Sequence, residues 1–121
     1  MDFYRTLLDS KITLNISRGK YKELYSSDRI ASLSGNGCFI LNEHSNRYNK
    51  LFNNQEIVHF NNVNDLINKI KFFLKNDKLR FSISKRNYKL WHSKYNSKNI
   101  INYIFDILRN KKLNKYPWHN V

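Results

Sequence analysis

Ile12-Thr13-Leu14-Asn15-Ile16 alternates apolar and polar residues with period two, the pattern of a strand. Before it, Phe3-Tyr4-Arg5-Thr6-Leu7-Leu8 reads as the end of a helix with Phe3 and Leu7 on one face. After it, Arg18-Gly19-Lys20-Tyr21-Lys22 reads as a loop, and Ser26-Ser27-Asp28 as a helix start, since each side chain accepts from an unpaired N–H of the first turn. That helix is expected to carry Ile30, Ala31 and Leu33 to the core and to stop at Gly35-Asn36-Gly37. Cys38-Phe39-Ile40-Leu41 is a continuous apolar run, as in a strand covered on both faces.

The alternation of element types continues. A short polar helix is expected from Ser45 to Phe52, and Glu56-Ile57-Val58-His59-Phe60 reads as a third strand. Asn62-Val63-Asn64-Asp65 opens a helix whose apolar positions, Leu66, Ile67, Ile70, Phe73 and Leu74, have 3–4 spacing. Asp77 opens the next, with Leu79, Ile83 and Leu90. The last, from about Ser97, is expected to bury Ile100, Ile101, Ile104, Phe105 and Leu108. Strands alternating with helices predict an α/β, Rossmann-like partial domain: a small parallel sheet flanked by helices, with right-handed crossovers. Three strands leave edges to protect, and the chain opens inside a helix–strand unit. Both features suggest part of a larger sheet.

Composition adds a class. With 121 residues, 40% hydrophobic and 15% aromatic, one cored domain is expected. No apolar run nears the roughly 20 residues of a membrane helix, and the first residues lack a signal-peptide layout; a cytoplasmic protein is expected. Cys38 is the single cysteine, in an apolar run where an inert buried thiol is the default. The net charge of +13 is uneven: residues 1–68 carry +1 and residues 69–121 carry +12. A basic half attracts phosphates, RNA or anionic lipid. However, Lys outnumbers Arg 15 to 7 amid abundant Asn, Ile, Tyr and Phe, as AT-rich coding produces without selection for any partner.

In open parallel sheets, ligands bind beyond the carboxyl ends of the strands. Here that edge holds the loop Ser17-Arg18-Gly19-Lys20, the helix start Ser26-Ser27-Asp28-Arg29, and Asn42-Glu43-His44. A helix N-terminus is an anion site. Arg18 and Lys20 add charge, Arg29 offers a bidentate fork, and Ser26 and Ser27 offer hydroxyl donors. A diphosphate fits this chemistry. Asp28 repels phosphate and is expected to cap the helix or orient Arg29. Ser-Ser-Asp is an ordinary N-cap in most proteins, and no phosphate-loop or dinucleotide motif occurs. His44, His59, His92 and His119 lie apart with no metal-ligand spacing; His44 follows a strand end, and His59 is expected to be packed within one. Tyr88, Trp91 and Tyr95 amid Lys85, Arg86, Lys89 and Lys94 have the makings of a base-stacking surface, though a helix-packing stripe is the commoner meaning.

The stretch from Leu8 to Gly19, followed by Tyr25-Ser26-Ser27-Asp28-Arg29-Ile30-Ala31-Ser32-Leu33-Ser34-Gly35-Asn36-Gly37, resembles the C-terminal domain of the glycosyl transferases group 1 family. It is most similar to the branch described as spore-protein-like glycosyltransferases. Leu51 to Phe60 and Val63-Asn64-Asp65-Leu66 resemble that family's later strand and helix, and the likeness spans roughly residues 5–109. The resemblance implies the C-terminal half of a GT-B fold, a UDP- or GDP-sugar donor and no metal. It implies that Arg18, Gly19, Lys20, Ser26, Ser27 and Arg29 face the donor diphosphate, with Ser32, Asn42 and His44 near the ribose or sugar. Many relatives carry a Glu five residues before the Gly that closes this helix; counting back from Gly37, Ser32 stands there. Ser donates one hydrogen bond but cannot accept from both ribose hydroxyls.

The expectation is therefore a glycosyltransferase donor-binding domain over residues 1–110 with a basic tail at 111–121. It would act on a glycan, lipid or protein acceptor. The acceptor domain, the first strands of the donor domain and any general base would lie outside it, so that alone it would be a poor catalyst. A separate chain would supply the acceptor half, docking on Ile100, Ile104, Leu108 and Trp118. Two other readings compete: a small basic module holding RNA or another polyanion through residues 69–115, and a non-catalytic partner subunit of a glycosyltransferase.

Overall fold

The computed structural model describes residues 2–119 except 17–23, 25–27, 45 and 46, with all side chains in its helices but those of Phe3, Tyr4 and Leu8. The order of elements is α1 (Phe3–Asp9), β1 (Thr13–Asn15), α2 (Asp28–Gly35), β2 (Ile40–Glu43), a 3-10 turn (Tyr48–Lys50), β3 (Val58–Phe60), α3 (Val63–Leu74), α4 (Asp77–Lys94) and α5 (Ser97–Leu108). The strands form one parallel sheet in the order β1-β2-β3. The architecture is α/β, a small open parallel sheet flanked by helices, consistent with a partial Rossmann-like domain.

Strand pleating divides the core in two. Ile40 and Ile57 face one side, where Ile30 and Leu33 of α2 meet Tyr48 and Phe52. Leu41, Val58 and Phe60 face the other, against Phe73 of α3 and Ile83 of α4. Helix α4 runs along the amino ends of the strands. Arg86 Nε donates to Gln55 O (2.9 Å), ahead of β3, and His92 Nε2 lies 3.1 Å from Gly35 O, ahead of β2. The rings of Trp91 in α4 and of Tyr95 just after it lie 5.7 and 4.8 Å from that of Phe52, closing the first core cluster. The aromatic stripe of α4 is thus largely packing, and only Tyr88 stands well exposed, at 44%. The Arg80 guanidinium turns back onto Phe73 O and is nearly buried, joining α4 to the end of α3.

Several local expectations change. The strands are shorter than the segments read for them: Ile12, Ile16, Cys38, Phe39, Glu56 and Ile57 lie outside them, although the Phe39 carbonyl still accepts from Thr13 N (2.9 Å) where the ladder begins. The expected helix over 45–52 is a single 3-10 turn from Tyr48 to Lys50, with Ser45 and Asn46 outside the described residues. Ala31 is exposed, since α2 rests on the sheet through Ile30, Leu33 and Ser34. On α3 and α4, Ile67, Leu74 and Leu79 are 40–47% exposed, because the sheet is only three strands wide and cannot cover both helices.

The largest change is α5. Its polar side, not its apolar side, faces the chain. Asp106 is the buried residue of this helix. It accepts from Tyr116 Oη (2.7 Å) and pairs with Lys115 Nζ (2.6 Å). The Tyr103 ring lies 5.0 Å from Tyr116 and 5.7 Å from Trp118. Ile100, Ile101, Ile104, Phe105 and Leu108, all expected in the core, are 47–73% exposed. Spacing reveals that a helix has an apolar face but not what covers it.

Candidate functional site

The carboxyl edge of the sheet gathers Ile16, Glu43, His44 and Asn61 with the N-termini of α2 and α3. Beneath it runs a row of buried polar side chains. Parallel register places Asn15 beside Asn42 and Asn42 beside His59, so the three share one face. Asn15 Nδ2 donates to Asn42 Oδ1 (2.7 Å). Asn42 Nδ2 donates to Glu43 O (2.8 Å) and stands 3.1 Å from His59 Nδ1. His59 Nε2 stands 2.8 Å from Phe52 O. Since a carbonyl only accepts, Nε2 carries the proton and Nδ1 accepts from Asn42. Burial pushes the His59 pKa below its ordinary value, aided by the charges of His44 and Lys69 and opposed by the bond to Phe52 O. The imidazole is therefore a neutral link in a satisfied network.

The row fixes two groups at the edge. Asn15 precedes Ile16, whose carbonyl accepts from Arg29 Nη1 at 2.7 Å. This bond ties the end of β1 to the first turn of α2 and holds the exposed guanidinium at the carboxyl edge of the sheet. A guanidinium has five N–H donors, so one bond to a carbonyl is compatible with gripping an anion. Asn42 lies two residues before His44, whose half-buried ring lies 6.2 Å from that of His59, edge to face.

Beyond β3, α3 has a complete cap. Asn62 Oδ1 accepts from Asp65 N (2.9 Å), Asp65 Oδ2 accepts from Asn61 N (3.0 Å), and Lys69 Nζ donates to both Asp65 oxygens (2.6 Å each). The Lys69 ammonium and then the Asn61 N–H hold the Asp65 carboxyl below its usual range.

Arg29 and Ser32 lie one turn apart and line the same cleft of about 490 Å³ along β1, with Leu7, Ser10 and Leu14 on its other wall. Asn42 has no exposed surface, and its amide is engaged in the polar row. Arg18, Gly19, Lys20, Ser26 and Ser27 lie outside the described residues. Cys38 is buried, and burial pushes its thiol pKa up, which leaves it a protonated core side chain. Among the described residues, no three His, Cys, Asp or Glu side chains come together as a metal site, and no helix is long and apolar enough to cross a membrane.

Sequence reasoning missed the polar row. Its signal was present: Thr13-Leu14-Asn15, Ile40-Leu41-Asn42 and Ile57-Val58-His59 each place a side-chain amide or imidazole third, after two β-branched or apolar residues. Only register reveals that the three align.

An open parallel sheet with two helix N-termini and a tethered arginine at its carboxyl edge is consistent with part of a Rossmann-like domain, whose ligands lie beyond that edge. The glycosyl transferase-like family model matches residues 1–106, and the chain belongs to that family. No curated protein and no solved structure matches it significantly.

Proposed function

We propose that this chain is the donor-binding part of a glycosyltransferase and holds a nucleotide-diphosphate sugar, UDP- or GDP-linked, at the carboxyl edge of its sheet without a metal. The reading is carried by the position of Arg29 in a chain of this family: at the start of α2, hydrogen-bonded to the end of β1. As the bond between the sugar C1 and the diphosphate oxygen breaks, negative charge grows on the leaving nucleotide. Arg29 and the α2 N-terminus stabilise that charge. Arg18, Lys20, Ser26 and Ser27 complete the diphosphate cradle, with Gly19 allowing close backbone approach. Ser32 bonds the ribose, and His44 lies toward the sugar. Asn42 acts one layer below, by fixing the strand that carries His44. The acceptor half, with its general base, lies outside these 121 residues, and transfer requires both.

Calorimetric titration of the folded chain with UDP, GDP and their sugar conjugates tests this. Saturable binding is expected, weakened about ten- to a hundred-fold by Arg29→Ala, the loss of a charge-assisted hydrogen bond. No binding, or binding indifferent to Arg29→Ala, refutes it. The +12 charge of residues 69–121 favours the polyanion reading as the competitor, and single-stranded RNA is the matched control. RNA binding that falls steeply with salt, in a chain indifferent to nucleotides, would replace the donor reading.

A further inference from the structure

Helix α5 is amphipathic, and its orientation is inverted. Asp106 and Tyr103 face inward, latched to Tyr116, Lys115 and Trp118. Trp118 in turn packs on Tyr95, just after α4, at 5.6 Å between ring centroids, so the latch is tied to the core. The opposite face presents Ile100, Ile101, Ile104, Phe105, Ile107 and Leu108, each 45–73% exposed. At 100° per residue these six fall within less than half a turn of the helix, a continuous apolar stripe.

The charges beside this stripe are of one sign. Lys98 is exposed at its start, and Arg109, Lys111 and Lys112 are exposed at its end. The Arg109 guanidinium lies 5.7 Å from the Phe105 ring centroid, directly against the apolar face. Asp106 is the one acid after Asp77, and it sits on the inward side, paired. An apolar stripe bordered by cations is complementary to a surface with a hydrocarbon interior and anionic headgroups. A second copy of this chain would bring two +13 molecules together on their basic halves, against electrostatic repulsion.

We infer that α5 is an in-plane membrane anchor: it lies along an anionic bilayer surface, with Ile100, Ile104, Phe105 and Leu108 among the acyl chains and Arg109, Lys111 and Lys112 at the headgroups. The inference is independent of the donor reading. It gives the domain a fixed orientation, because the latch prevents α5 from swinging freely.

Sedimentation of the full chain with vesicles tests it, comparing phosphatidylcholine alone with mixtures containing about 30% phosphatidylglycerol. Binding to the anionic vesicles is expected, with little to the neutral ones. Ile104→Ser/Phe105→Ser should weaken it about ten-fold through lost apolar burial. Lys111→Gln/Lys112→Gln should weaken it and reduce its dependence on salt. The exposed Leu108→Ser is a second apolar variant should the first fail to keep the wild-type circular dichroism. Failure to bind anionic vesicles overturns the proposal. So does binding that neither apolar variant reduces, since that is charge adsorption without insertion. A dimer in sedimentation velocity that Ile104→Ser/Phe105→Ser dissociates would assign the face to a second copy instead.

Discussion

Replacing Asn42 by Ala removes the central link of the buried polar row. The side chain has no exposed surface, accepts from Asn15 Nδ2 at 2.7 Å, and donates to Glu43 O and toward His59 Nδ1. Glu43 is only half-buried, so its carbonyl can turn to water. Asn15 and His59 are buried and lose a partner outright. Each orphaned buried group costs about 1–3 kcal/mol, so the expected loss is about 2–4 kcal/mol if one water enters the space. Against a typical stability of about 5–15 kcal/mol this is large. Urea unfolding followed by circular dichroism should show a midpoint lowered by about 1–2 M with an unchanged slope. Asn42→Asp is the informative companion. It places a carboxylate oxygen beside His59 Nδ1, which favours the imidazolium and should raise the His59 pKa instead of depressing it. An Ala variant within about 0.5 kcal/mol of the wild type would refute the reasoning, because it would mean that the row is solvated and fixes nothing at the carboxyl edge of the sheet.

Acid should weaken the protein through His59. Its pKa is lowered on folding, so the unfolded chain takes up the proton first; stability is full above about pH 6.5 and falls as the pH drops from there toward the lowered folded value, readable as urea midpoints across that range. Asn62→Ala removes the cap that accepts from Asp65 N and should cost about 1 kcal/mol in thermal or urea unfolding. Gly37 has φ +71, and an added Cβ would lie 3.6 Å from the Tyr88 ring. Gly37→Ala therefore has room but the wrong handedness, and should cost about 1 kcal/mol with α4 still docked, as its unchanged circular dichroism would report.

The order of elements, the parallel sheet and the carboxyl-edge position of Arg29 were all legible in the sequence. Each depends on local signals: period-two and period-three-to-four apolar spacing, Ser, Asp and Asn at helix starts, Gly after α2. His59 as a packed strand residue followed from the same spacing. Strand ends were not legible, because an apolar run continues past the last ladder bond, as at Cys38, whose N–H goes to Leu33 O instead. Nor was the polar row, since Asn15, Asn42 and His59 become neighbours only when register aligns segments 17 or more residues apart. The tether from Arg29 to Ile16 O likewise joins groups 13 residues apart. Helix α5 shows the division most sharply. Its sequence determined an apolar stripe and a polar one; which of them faces the chain was decided by Asp106 meeting Tyr116 and Lys115. That contact turns a buried-looking helix outward, because a polar pair closed at short range fixes the roll of a helix that no sheet surface remains to receive.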